Sequence, residues 1–218
     1  AFGEGCFISG TAKATLGTGS SILWNTGNTP VRSEKGMVTT ICWSMEGRVD
    51  YALEGIIISC GATIEWLKNQ LELFENSFET EQMALNLTSN EGVYLIPSFS
   101  GLGAPHWQMD WKATIHGLTF KSDKSRLVRA ALESIPYQIK DVISVMEEES
   151  GFKLKELKVD GGISANRFIV QFLADLLGAN VVNIGIVDVT ALGAALLAGL
   201  GAGLWKNLDD LPKLEQNV

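Results

Sequence analysis

Beyond residue 156 the chain alternates between short apolar segments and amphipathic ones, and no other feature restricts its fold so strongly. Residues 157–159 and 181–184 read as strands, and residues 165–177 and 190–200 as helices. Strands separated by helices need crossover connections, which produce parallel pairing in a sheet covered by helices. The opening segments, residues 11–16, 21–24, 38–43 and 49–53, are strand-like and divided by turn clusters such as Thr26-Gly27-Asn28-Thr29-Pro30, which predicts an antiparallel start. The combination is an α/β fold with a mixed sheet: a three-strand meander, then alternating helices and strands.

Between these regions the apolar spacing changes to the helical period at Ile57, Gly61, Ile64, Leu67 and Leu71, with a second, more polar helix over residues 80–87. Strands are expected at residues 93–96 and 113–118, separated by the loop Ser100-Gly101-Leu102-Gly103-Ala104-Pro105-His106-Trp107, whose composition is too particular for a mere linker. Val128, Leu132, Ile135, Ile139, Val142 and Met146 recur every three or four residues and define one long helix, which Pro136 is expected to kink. No internal repeat or domain boundary interrupts the 218 residues, so one globular domain is expected.

A formal charge of -8 and the absence of a basic patch argue against a nucleic-acid footprint. An anionic ligand would have to be held locally, by backbone amides and helix N-termini. The 17 apolar residues 189–205 are short for a membrane span and rich in Ala and Gly, which favours a buried, closely packed helix. Cys6, Cys42 and Cys60 lack paired metal-ligand spacing, so buried reduced thiols and a cytoplasmic setting are expected. The chain starts Ala1-Phe2-Gly3 without an initiator Met and reads as a piece of a longer protein. No interface signature is readable, and a homo-oligomer stays open.

Three places could carry chemistry. Gly17-Thr18-Gly19 sits at a turn between strands, where small residues let amides and one hydroxyl close on a phosphate, or form an ordinary hairpin. Asp160-Gly161-Gly162 links a strand to a helix that Ser164 is placed to cap, giving either a nucleotide cradle or a tight strand-to-helix turn. Gly61 and Glu65 share a helix face, the first leaving room for a flat ring and the second offering acceptors. His106 and His116 lie apart from other ligand types, so no metal site is assigned, and Glu147-Glu148-Glu149 reads as a solvated face.

In order and approximate spacing, Leu16-Gly17-Thr18-Gly19-Ser20, Asp50-Tyr51-Ala52-Leu53-Glu54-Gly55, Cys60-Gly61-Ala62-Thr63-Ile64-Glu65-Trp66-Leu67, the loop 97–107, Val159-Asp160-Gly161-Gly162-Ile163-Ser164-Ala165-Asn166 and Thr190-Ala191-Leu192-Gly193-Ala194-Ala195 resemble the C-terminal domain of the FGGY carbohydrate kinases. The resemblance implies a ribonuclease H-like domain of the actin and hexokinase type, facing an N-terminal kinase domain across a cleft. There ATP, with Mg2+, would phosphorylate a hydroxyl of glycerol or a similar small polyol. It places Thr18 at the terminal phosphates between Gly17 and Gly19, Gly61 and Glu65 beside the nucleoside, and Gly162 and Asn166 at the ribose and adenine. The base belongs just upstream of Ala1, and most substrate and metal contacts to the other domain. Two departures stand out: members acting on glycerol carry Gln at the position of Glu65, and Phe against the glycerol carbons at that of Ser21. The latter keeps a ketopentose such as xylulose open as acceptor. A non-catalytic, ATP-binding actin-like module is the alternative of another class.

Overall fold

The computed structural model describes residues 1–186 and 188–212. Four strands open the fold: β1 (Ala12–Leu16), β2 (Ser20–Gly27), β3 (Val38–Met45) and β4 (Arg48–Ile57). Helices α1 (Gly61–Asn69) and α2 (Glu79–Leu85) follow, then the two-stranded ribbon β5 (Tyr94–Ile96) and β6 (Thr114–His116) and the long helix α3 (Lys124–Ser150). The alternating third is as expected: β7 (Glu156–Asp160), α4 (Arg167–Leu177), β8 (Asn180–Asn183) and α5 (Val189–Gly201).

Six strands form one mixed sheet in the order β3-β4-β2-β1-β7-β8, with β1, β7 and β8 parallel and the rest antiparallel. The opening differs from a simple meander. It contributes four strands, and β4 lies between β2 and β3, pairing antiparallel with both.

Period-two alternation gives the sheet two different faces. Ala12, Ala14, Leu16, Ile22, Trp24, Leu53, Leu157 and Val159 form the core with α3, which lays Val128, Leu132, Ile135, Ile139, Val142 and Met146 over them. Gly55 lets α3 come close, since a Cβ there would lie 2.3 Å from Val142. Pro136 is buried inside α3 without interrupting it. On the opposite face Lys13, Thr15, Ser21, Leu23, Glu54, Lys158 and Asp160 fall in adjoining rows. A smaller cluster of Phe2, Trp43, Leu196 and Leu211 closes part of that face.

Several local expectations change. Helix α5 is not buried all round: Val189, Gly193, Leu196 and Gly199 face inward, while Ala191, Ala194, Ala195 and Ala198 are exposed. Among the described residues no helix is long and apolar enough to cross a membrane. Cys6, Cys42 and Cys60 are free thiols; Cys6 and Cys60 are buried, Cys42 only half-buried, and burial pushes Cys42 and Cys60 up to about 12. Glu147-Glu148-Glu149 is a docking point rather than a solvated face. Glu149 accepts from the Glu34 and Lys35 amides at 2.7 and 2.8 Å, Glu148 pairs with Lys35, and Glu147 accepts from Lys153 and the Leu154 amide, each at 2.8 Å. These donors offset the unfavourable placement of acids at a helix C-terminus.

The loop 97–107 is held as a wedge. Ala104 donates its amide to the Ile56 carbonyl near the end of β4 at 2.9 Å, and Trp107 donates its indole N–H to the Gly36 carbonyl at 2.6 Å. Arg126 forms two hydrogen bonds to Glu91 and an ion pair with Asp123 at 3.0 Å, which accounts for its place at the start of α3. Deeper in α3, Arg129 bonds Glu133 at 2.7 Å and the Ala84 and Leu87 carbonyls that end α2, while Asn90 donates to the other Glu133 oxygen at 2.8 Å. The side chains of Arg129 and Glu133 are 11% and 3% exposed, so removing one strands the other's charge. Arg129→Ala is therefore expected to lower unfolding free energy by about 3–5 kcal/mol in a urea titration, whereas Arg126→Ala should have a much smaller effect.

Candidate nucleotide-binding site

The carboxyl ends of β1 and β7, paired in parallel through Thr15 and Asp160, bring two glycine turns side by side. In the β1–β2 turn the Gly17 amide donates to the Gly19 carbonyl at 3.0 Å, and Thr18 at the tip is exposed. Helix α1 begins directly against this turn. Its N-terminal amides have no capping side chain; instead Cys60 and Ala62 donate to the Thr18 carbonyl at 3.0 Å each, and Gly61 to the Gly17 carbonyl at 2.9 Å. The turn thus satisfies the donors that every helix start leaves open.

The glycines of this region answer different needs. A Cβ on Gly61 would lie 2.7 Å from the Gly17 carbonyl oxygen and 3.3 Å from Ile163, so the room expected there for a ring is filled by the turn itself. Gly161 has φ +90° and a Cβ position 2.5 Å from the Leu16 carbonyl oxygen, which lets the second turn press against the first. Gly162 is the opposite case. It is exposed, with nothing within 4 Å of where a Cβ would stand.

A 3-10 turn, Gly162–Ala165, separates Gly161 from α4. The cap of α4 is Asn166 and not Ser164: Asn166 Oδ1 accepts from the Ile169 amide at 3.2 Å, and its Nδ2 donates to Thr80 Oγ1 at 3.2 Å. Ser164 belongs to the turn, donating its hydroxyl to the Gly161 carbonyl at 2.6 Å. Gly162, Ile163 and Asn166 form one wall of a small cleft; Ile64, Phe78 and Thr80 form the other. Phe78 is 82% exposed, an aromatic ring left in water beside bare backbone. The sequence reading missed it, because the residues it faces across the cleft are brought there by the fold.

Thr18, Gly61, Gly162 and Asn166 are thus gathered at one end of the sheet, whereas Glu65 and Ser21 take other positions. Glu65 is exposed one turn along α1 and accepts from Asn69 at 3.1 Å. Ser21 lies on β2, on the sheet face away from α3, and donates to Glu54 at 2.8 Å. On the same face Asp160 and Glu4 line one cavity with Lys13 and Thr15. Both Glu4 oxygens and Asp160 Oδ1 are buried without a hydrogen-bond partner. Burial, followed by the nearby Asp160 carboxylate, pushes Glu4 up to about 7.

Residues 12–202, the span that carries both turns, α1 and the cleft, match the FGGY family of carbohydrate kinases, C-terminal domain. The chain belongs to this family. Among related FGGY proteins, the glycerol kinase of Thermoanaerobacter sp. (strain X514) is 48% identical over 212 residues, covering 97% of this chain and 43% of the relative. In three dimensions the chain resembles Plasmodium falciparum glycerol kinase solved with ADP, with a TM-score of 0.89 and 36% identity over 95% of this chain and 42% of that one. A ligand-bound xylulose kinase from Lactobacillus acidophilus shares the fold, with a TM-score of 0.82 and 20% identity over 95% of this chain and 41% of that one. The chain therefore spans less than half the length of the relatives it matches. Its FGGY architecture is the mixed α/β sheet of the actin and hexokinase type.

The contrast between the two glycines makes the site testable. Gly61→Ala should lower stability by about 1–3 kcal/mol, because the new methyl group meets backbone. Gly162→Val should leave the melting temperature nearly unchanged and reduce Mg-ADP affinity at least about tenfold, as one filled contact on an open wall would. Calorimetry beside thermal melts checks both.

Proposed function

We propose that this chain is the nucleotide-binding half of an ATP-dependent carbohydrate kinase, which transfers the γ-phosphoryl group to a hydroxyl of glycerol or a similar small polyol. The observation that carries the reading is the meeting of the Gly17–Gly19 turn, the start of α1 and the open Gly162 backbone at one sheet end. The 48% identity to a glycerol kinase supports the choice of acceptor.

In this reading Thr18, exposed at the tip between Gly17 and Gly19, contacts the terminal phosphates. Gly61 fixes that turn on α1, and Glu65, one helical turn further along α1 and outside the small cleft, approaches the nucleoside from its rim. The ribose and adenine lie against Gly162 and Asn166, with Phe78 as the stacking surface across the cleft. A flat ring between an aromatic face and bare backbone gains dispersion and apolar burial without any charge. Among the described residues no three His, Cys, Asp or Glu side chains converge into a metal cage. In this reading Mg2+ is held by phosphate oxygens, water and carboxylate ligands of the N-terminal domain, offsetting phosphate charge.

The attacking hydroxyl needs a base and a second wall to hold it, and both belong to an N-terminal kinase domain in this proposal. The acceptor is a polyol or sugar held between the two domains. The setting is cytoplasmic, with free thiols kept reduced. Ser21 is the observation that favours a second acceptor class: its polar bond to Glu54 suits a ketopentose of the xylulose type as well.

A substrate panel on the intact kinase tests the proposal. Glycerol or another three- or four-carbon polyol should give the highest kcat/KM, and Thr18→Ala should lower kcat by roughly 10- to 1000-fold, the scale for losing one transition-state donor. Preference for xylulose over glycerol would overturn the polyol assignment. Absence of transfer to any alcohol, with nucleotide binding retained, would leave an actin-like binding module.

A further inference from the structure

The amino-terminal segment turns tightly against the sheet. Glu4 and Cys6 donate their amides to the Ala1 carbonyl at 3.2 and 3.1 Å, and Gly5 donates to the Phe2 carbonyl at 2.9 Å. Gly3 is pressed onto α5, since a Cβ there would lie 2.1 Å from the Val189 carbonyl oxygen and 2.9 Å from the Gly193 nitrogen. The turn thereby fixes Glu4, which is 3% exposed, on the same cavity as Asp160, which is 7% exposed. Asp160 stands at the root of both glycine turns: it pairs with Thr15 on β1 and is followed directly by Gly161.

Two buried carboxyl groups on one cavity need a counter-charge or a proton. The groups around Glu4 show which is present. β7 supplies Asp160 and Lys158, β1 supplies Lys13, and the segment itself supplies the Ala1 amino group. Asp209 lines a second cavity with Glu4, and α5 adds no charged group. Burial holds the Cys6 and Cys42 thiols neutral. Both lysines are engaged elsewhere: Lys158 Nζ donates to the Glu4 backbone carbonyl at 2.6 Å, and Lys13 Nζ donates to Thr15 Oγ1 at 2.7 Å. Neither Glu4 nor Asp160 takes part in an ion pair among the described residues. Both Glu4 oxygens and Asp160 Oδ1 are left without a partner. A proton on Glu4 removes one buried charge and supplies a donor to a cavity whose carboxylate oxygens have none.

We propose that Glu4 is a proton-dependent positioning residue: as a neutral acid it seats the amino-terminal segment beside Asp160, and on ionisation it loosens that seat. The proposal rests on the kinase reading above, in which the base lies just ahead of this segment, and deepens it by tying the placement of the base to the root of the nucleotide turns.

Burial, and then the Asp160 charge, raise the Glu4 carboxyl from the ordinary 4.5 to about 7. Its contribution to stability is therefore full below the ordinary value, declines as pH rises, and is lost above the folded value, where folded and unfolded chains have both given up the proton. Glu4→Gln keeps the neutral shape and cannot ionise. In melts of the intact kinase between mildly acidic and mildly alkaline pH, the melting temperature of Glu4→Gln relative to the unaltered enzyme should rise by at least about 2 °C. The ratio of their kcat values should rise at least about fivefold over the same range, with the KM for ATP within about twofold. Asp160→Asn removes the neighbouring charge and should move the decline in stability to lower pH, which decides the matter if Glu4→Gln does not fold.

Parallel pH profiles in Glu4→Gln and the unaltered enzyme overturn the proposal. So does a loss of stability that is the same at every pH, the mark of a merely structural residue, or an unmoved decline in Asp160→Asn. If the intact protein phosphorylates no alcohol at any pH, the kinase reading fails first and the positioning role fails with it; an active enzyme with parallel profiles fails this proposal alone.

Discussion

The parallel pairing of β1 with β7 is the contact on which the rest of the site depends. It sets Leu16 beside Gly161, so that two turns from distant parts of the sequence end at one level. The first turn then gives its carbonyls to the amides of α1, and the second leads through a 3-10 turn into α4. Each element start is satisfied by another element's backbone or, at α4, by the Asn166 side chain. Little freedom is left in the region except at the exposed tips, Thr18 and Gly162, where a ligand can approach.

The remainder of the fold supports this end from one side. Helix α3 covers the apolar face along its whole length and is tied to α2 by the buried network of Arg129, Glu133 and Asn90. Because α2 carries Thr80, which accepts from Asn166, that network also positions one wall of the cleft. The other sheet face is polar in its middle rows and only partly covered, an arrangement suited to a surface that meets a substrate or a second domain. The apolar core is thereby concentrated on one face of the sheet, and the other face is left partly open.

The sequence disclosed these features unevenly, for physical reasons. Alternation of strand and helix in the last third was legible because both periods are strong and their connection has few solutions. The alternating polar and apolar residues of β1, Lys13 and Thr15 against Ala12, Ala14 and Leu16, already encode the two faces. The insertion of β4 between β2 and β3 was not legible, since periodicity describes a strand's faces and not its neighbours. The cap of α4 was misread by two residues because Ser164 and Asn166 are both good caps, and only the 3-10 turn decides between them. Glu147, Glu148 and Glu149 looked solvated because their partners, in the loop at Glu34 and Lys35, lie more than a hundred residues away. Phe78 was not legible for the same reason: its neighbours across the cleft are brought by tertiary structure.

The central claim is that the two glycine turns form a nucleotide cradle. A crystal structure of this chain grown with Mg-ADP tests it most directly. The account predicts the diphosphate over Gly17, Thr18 and Gly19, with the base in the cleft between Phe78 and the Gly162 to Asn166 segment. A nucleotide bound at another surface, or a β1–β2 turn left empty beside an occupied cleft elsewhere, would contradict it.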